Sequence, residues 1–239
     1  MQNYVELLKD PVFYKSLFNT IYLLILLVFI QIPIALILAY LLFTEVKGFK
    51  FLRTVYFVPV IISTVAIALM FYFIYETNFG ILNSLLRAIG LGHLTQSWLQ
   101  ETSTAMTAVS MPLVWSQVGL MMIILLAGLQ GVPREVLEAA EIDGANAWQK
   151  LTRVIVPMIS NIIVICLVLA ITNAFKQFDF VLILTEGGPS HRTEVTGTYM
   201  YNEGFRRLNY GFGSAIAMSI MCIAIAITLI VKGLTSRKE

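Results

Sequence analysis

The stretch Glu138-Ala139-Ala140-Glu141-Ile142-Asp143-Gly144-Ala145 lies between two long apolar runs and is followed, a helix-length further on, by Pro157. It gathers three carboxylates, three alanines and a glycine into a short polar segment. Its surroundings are of another kind. The chain of 239 residues is 58% hydrophobic and only 13% charged, where soluble domains carry roughly a quarter charged residues. With a mean hydropathy of +0.83, the polar stretch reads as a loop between the spans of an integral membrane protein.

A helix needs about 20 apolar residues, at 1.5 Å rise each, to cross a bilayer. Five runs qualify, at about 17–43, 54–75, 104–129, 158–184 and 212–231. Each is too long for a strand, and no alternating pattern suggests a membrane barrel. Helices satisfy their own backbone groups in lipid, so the expectation is an all-α polytopic bundle forming one domain over residues 1–239, with a connecting segment at 130–157. Gln31, Pro33 and Pro112 mark candidate kinks, because proline removes a backbone donor and clashes with the preceding turn. The first run is too long for a signal peptide, and no small-residue cleavage site follows it.

Charge is too balanced, at +2, to argue for nucleic acid. Cys166 and Cys222 fall in apolar runs and read as packing residues, with neither a disulfide framework nor metal-ligand spacing. His93 and His191 fall in loops and read as solvated. No Gly-rich loop ending in Lys-Ser or Lys-Thr is present to cradle a nucleotide. Basic residues Lys47, Lys50 and Arg53 in one loop, with Lys232, Arg237 and Lys238 at the tail, favour a cytoplasmic side for both. Arg192, Arg206 and Arg207 oppose that bias, so charge alone leaves orientation open.

Two connecting stretches have their own character. Residues 79–91 carry Ile81, Leu82, Leu85, Leu86 and Ile89 at helical spacing, which predicts an amphipathic helix at the membrane interface. Residues 194–207 include Tyr199, Tyr201 and Phe205 beside Arg206 and Arg207, an interfacial composition. Around Glu138, Pro133 suits a first helical turn, and Glu135 and Glu138 suit the positive end of a helix dipole. The alanines permit close approach of another backbone, and Gly144 permits a break between two short helices.

Within the fourth run, Asn173, Lys176, Gln177 and Asp179 are unexpected, since a charge at the centre of a span costs about 2.5–3.5 kcal/mol on insertion scales. Asn173, Lys176, Gln177 and Phe180 share a helical face, and Lys176 and Asp179 have the spacing of a pair. Two readings stay open: a polar strip on a solute path, or a charge pair snorkelling to the surface. Trp115, with Ser116 and Gln117, is a further path candidate, against the ordinary role of a tryptophan in packing.

The Glu138 stretch resembles the EAA signature of permease subunits in binding-protein-dependent ABC importers, E-A-A-x-x-D-G-A followed by an aromatic residue and a proline. The match is full through Ala145 and Pro157 is in register. Leu151 stands where the family has Phe, and Asn161 where a second Pro is common. Thr185, Gly187, Gly188, Pro189, Thr193, Tyr201 and Phe205 resemble a pattern of the sugar-importing branch. The resemblance implies a type I importer permease core with five transmembrane helices in a bacterial or archaeal inner membrane, the family's peripheral first helix being absent. It implies that Glu138, Ala139, Ala140, Asp143, Gly144, Ala145 and Pro157 form a cytoplasmic segment coupling to the ATPase. It further implies as partners a second permease chain (a related heterologous subunit or a second copy), two cytoplasmic ATPase subunits holding ATP and magnesium, and an extracytoplasmic solute-binding protein. No cofactor is expected on this chain, and it would not be an enzyme. The solute implied is a sugar or oligosaccharide, with glycerol phosphate-like solutes or ion-coupled secondary transport as alternatives. A membrane enzyme would need a cluster of His, Ser, Asp or Cys that the spans lack.

Overall fold

The computed structural model describes residues 1–44 and 48–235, so Lys47, Arg237 and Lys238 lie outside the described residues. Among those described there are helices and no strand. A short helix, α1 (Gln2–Leu7), leads into α2, which runs from Pro11 to Phe43. Asp10 starts α2 by accepting a hydrogen bond from the Val12 N–H, and Pro11 supplies the preset first-turn geometry. Midway, residues Leu27–Gln31 widen into a π-turn. Pro33 lies two residues beyond, where it cannot donate to the preceding turn, and the helix absorbs that loss by widening instead of kinking.

The second run divides into α3 (Phe49–Ile61) and α4 (Thr64–Ile74), which meet at 104°. Pro59 inside α3 weakens its last turn, and the chain extends at Ile62 and Ser63. Then come the amphipathic α5 (Ile81–Ala88) and the continuous α6 (Ala105–Leu129), which contains Pro112 without a break. Helices α7 (Arg134–Ile142) and α8 (Ala147–Met158) form the connecting segment. A bend of 80° leads into α9 (Ser160–Lys176). The chain continues through α10 (Asp179–Thr185), α11 (Thr196–Tyr201, prolonged by a π-turn to Arg206) and α12 (Tyr210–Thr235). Among the described residues three helices are long and apolar enough to cross a membrane, and up to five spans result if each bent pair is one span.

Helix α6 is the centre of the bundle. Its Val118, Met121, Met122, Leu125 and Leu129 bury against Ala35, Leu38 and Ala39 of α2 and against Cys166, Ala170 and Ala174 of α9. Small residues let the helices approach, as membrane helices require. At Gly119 a methyl group would stand 2.2 Å from the Tyr56 carbonyl oxygen, so α3 rests directly on the α6 backbone. Cys166 is buried here, whereas Cys222 on α12 is exposed, so only one of the two thiols packs.

The molecule has two ends. The Glu138 end carries α7 and α8; the Pro189 end carries the start of α2, α5, α11 and the loop between α10 and α11. That loop is bonded to α2: Lys15 Nζ donates to the Ser190 carbonyl (2.6 Å), Asn19 Nδ2 to the carbonyls of Arg192 (3.0 Å) and Glu194 (2.8 Å), and the Thr196 N–H to Thr20 Oγ1 (3.0 Å). His191 is not simply solvated, because its Nδ1 meets the buried Glu194 carboxylate at 2.9 Å. Tyr199 is not an interfacial aromatic either: it is buried against Phe212 and donates to Asp10. Burial first, and then that carboxylate, hold its phenol above the usual range.

Candidate coupling segment and solute path

Helix α7 begins after Pro133, which occupies the cap position with extended backbone (ψ 137°) and not the first turn. Glu135 lies in the first turn, at the positive end of the helix dipole. The helix ends in a reversal: the Ala145 N–H donates to the Ala140 carbonyl (2.9 Å) and the Gly144 N–H to Glu141 (3.0 Å), with Gly144 at φ +78°. That left-handed backbone is open to glycine at little cost. Asn146 then caps α8 in a reciprocal pair with Gln149. Across the turn, Lys150 Nζ meets Glu141 Oε1 at 2.5 Å, and this contact raises the lysine pKa.

The two faces of the segment differ. Ala140, Leu151 and Ile155 are buried, and the latter two join the bundle core. Leu151 therefore fills with its own side chain the place an aromatic residue would take. Glu138, Ala139, Asp143, Gly144 and Pro157 are exposed, and Ala145 is half-buried. Sequence reasoning missed Ile142 and Trp148, which flank the turn with 87% and 65% of their surface in the open. The available signal was two large apolar residues inside a polar segment. The π-turn Lys150–Ile155 again stops two residues before a proline, Pro157, after which the chain bends into α9.

The polar residues of the fourth run do not form one helical strip. Helix α9 ends at Lys176, Gln177 is extended (ψ 113°), and Asp179 opens α10. Phe180 consequently belongs to another helix and is fully buried. The break is held by close packing, since a methyl group at Gly197 would lie 2.8 Å from Phe178 Cβ and 2.9 Å from the Gln177 carbonyl. Phe178 also sets its ring 5.7 Å from that of Tyr201. The expected Lys176–Asp179 pair is absent among the described ion pairs. Asp179 accepts the Phe180 N–H (3.0 Å), and Lys176 is exposed.

Asn173 and Gln177 nevertheless come together with Gln117 of α6, around a cavity of about 40 Å³ walled by Leu27 and Leu113. Three half-buried amide groups, from α6, from α9 and from the extended residue that follows it, thus meet at this cavity, each offering donors and an acceptor. Trp115 does not line this cavity. It is 41% exposed and sits edge-on to Phe71 of α4 at 5.8 Å. One turn from Leu27, Gln31 is 1% exposed, and neither its Oε1 nor its Nε2 has a hydrogen-bond partner among the described residues. No group of three metal-ligating side chains occurs among the described residues.

Over residues 15–238 the chain matches the family described as binding-protein-dependent transport system inner membrane component. It belongs to that family. A probable ABC transporter permease protein, YurN of Bacillus subtilis, is 40% identical over 96% of this chain and 79% of its own length. The multiple sugar-binding transport system permease protein MsmF of Streptococcus mutans is 32% identical over 100% of this chain and 81% of its own. Among solved structures, a bacterial alginate ABC transporter in complex with a pentasaccharide-bound periplasmic protein superposes with a TM-score of 0.86. It is 25% identical and covers 98% of this chain and 81% of that one. The all-α importer-permease architecture and the inner-membrane location follow, and the family name itself pairs the chain with a binding protein.

Proposed function

We propose that the protein translocates a sugar or oligosaccharide as one permease subunit of an ATP-driven importer, with Asn173, Gln177 and Gln117 on the solute path. The observation that carries the path assignment is the convergence of these three amides around one cavity between α6 and the end of α9. Polar groups at membrane depth need partners or water, and a saccharide's hydroxyls match amides that both donate and accept. Relatives named for sugar transport support the substrate class, among them permeases for arabinooligosaccharides and for trehalose and maltose. Trp115, with a face in the open, offers an apolar platform at the edge of the same helix. Lys176 and Asp179 mark the end of the path, each acting separately.

The Glu138 end faces the cytoplasm in this reading and the Pro189 end faces outward. Glu138, Ala139, Ala140, Asp143, Gly144, Ala145 and Pro157 shape the segment that receives force from a cytoplasmic ATPase. A second permease chain completes the pathway. ATP and magnesium reside on two separate ATPase subunits.

The test is uptake. Asn173→Leu and Gln177→Leu lower uptake of the cognate sugar at least tenfold with normal membrane assembly, by removing hydrogen bonds of about 1.4 kcal/mol or more in sum. Lys176→Gln leaves uptake within about twofold, because no ion pair is lost. Wild-type uptake in both leucine variants would place the solute path elsewhere.

A further inference from the structure

A recess lies at the Pro189 end, away from the amide cavity. Three segments bound it: the end of α4 with Tyr72, Tyr75 and Glu76, the loop before α6 with Gln100, and the turn after α10 with Glu186 and Pro189. Its volume is about 570 Å³, on the scale of pockets that hold small ligands. The walls are fixed in place. Thr77 Oγ1 donates to Ser97 Oγ (3.1 Å), Thr185 and Thr193 share a hydrogen bond of 2.7 Å, and Thr193 Oγ1 lies 2.7 Å from the Gly188 carbonyl.

The lining has a definite chemistry. Tyr72 supplies an exposed flat apolar face that ends in a hydroxyl, Tyr75 is buried in the wall against Phe71, and Gln100 supplies an amide that donates and accepts. Glu76 accepts hydrogen bonds from the Asn78 and Phe79 N–H groups, both at 2.7 Å, with no cation among its described ion pairs. Glu186 has Arg206 at 3.3 Å. No lysine or arginine is among the lining residues.

We propose that this recess is an outer solute-recognition site for neutral or amine-bearing saccharides, and that its carboxylates exclude acidic ones. The proposal rests on the importer reading above and adds to it a place and a sign of charge. A saccharide ring stacks on the exposed Tyr72 while its hydroxyls or ammonium groups meet Gln100, Glu76 and Glu186. A uronic-acid chain meets like charge at the same carboxylates. In this respect the site differs from what an importer of an acidic polysaccharide would require.

The assembled importer in proteoliposomes, with Cys166 and Cys222 replaced and Gln100→Cys introduced, tests this with thiol reagents of opposite charge. A cationic methanethiosulfonate reacts about tenfold faster than an anionic one, relative to the same ratio at His93→Cys, through electrostatic focusing. Glu76→Gln with Glu186→Gln collapses that preference. Maltotriose or a glucosamine trisaccharide slows the labelling, and trigalacturonate slows it only in the double Gln variant. Equal reactivity of the two reagents overturns the site, as does protection of the wild-type charges by trigalacturonate. Failure of either reagent to reach position 100 also overturns it, because another protein then fills the recess. Binding-protein-stimulated ATP hydrolysis is scored on the same vesicles. If hydrolysis persists while the labelling fails, the recess alone is wrong; if stimulation is absent, the importer reading is wrong.

Discussion

Gly144 shows how one residue sets the shape of the proposed coupling segment. Its φ of +78° turns the chain so that Ile142 and Trp148 stand exposed on either side, with the carboxylates of Glu138 and Asp143 around them. Gly144→Ala strains the turn by about 1–2 kcal/mol, although nothing lies within 4 Å of the added methyl. Gly144→Asn is milder, since asparagine tolerates the left-handed region. The expected result is that Ala lowers binding-protein-stimulated ATP hydrolysis in the assembled complex more than Asn does. Equal activity of the two variants would show that the turn conformation carries no coupling. The exposed apolar pair predicts more. Large side chains at the centre of interfaces cost about 2 kcal/mol or more on truncation. Ile142→Ala with Trp148→Ala should therefore release the ATPase subunits on size-exclusion chromatography, and Glu138→Gln should weaken retention less. Retention in the double alanine variant would shift the docking energy to the carboxylates.

The elements were legible in proportion to how local their causes are. The Asp143-Gly144 break and the long apolar helices α2, α6 and α12 depend on neighbouring residues and appear in the structure, whereas the second and fourth runs are bent or broken. Pro33 was visible as a candidate kink and Pro157 only as part of the motif; the π-turn before each was not, because a π-turn depends on what the helix packs against. The break after Lys176 was hidden altogether. It arises from Gly197, some twenty residues downstream, whose missing side chain lets α11 approach the Gln177 carbonyl. Convergence of Gln117 with Asn173 was likewise a tertiary fact, with only the individual amides readable beforehand. Close approach makes a further test. Gly119→Val drives a side chain into the Tyr56 carbonyl and should destabilise the α3–α6 contact by about 1–3 kcal/mol, read as a lower melting temperature in detergent. An unchanged melting temperature would mean that α3 moves aside freely. The turn at Glu76 responds to acid. Its pKa is lowered from 4.5, chiefly by the Phe79 N–H and then by the Asn78 groups, so its contribution is complete above 4.5 and is lost as pH falls through the lower folded value. Trp98 donates to Asn83, which donates to the Thr77 carbonyl (3.0 Å). Its emission, in a chain with Trp115 and Trp148 replaced by Phe, should change in that acid window, and the change should vanish with Glu76→Gln.

For the whole molecule, orientation is the property from which the other assignments take their meaning. Intact cells treated with an impermeant thiol reagent should label Ser190→Cys and spare Ala139→Cys, with Cys166 and Cys222 replaced. Labelling at 139 alone would invert the entire arrangement. Granted that orientation, the 33 residues of α2 acquire a mechanical meaning. At 1.5 Å per residue the helix is about 50 Å long, well beyond a hydrocarbon core of about 30 Å. Its upper part is bonded through Lys15, Asn19 and Thr20 to the loop that carries Pro189 and Glu186, and its lower part is packed on α6, which leads directly into α7. A displacement of the lower half would thus be carried along one helix to the loop at the Pro189 end. The α-helical turns of α2 widen once along that length, at the π-turn Leu27–Gln31, where the Gln31 amide is buried with no hydrogen-bond partner among the described residues.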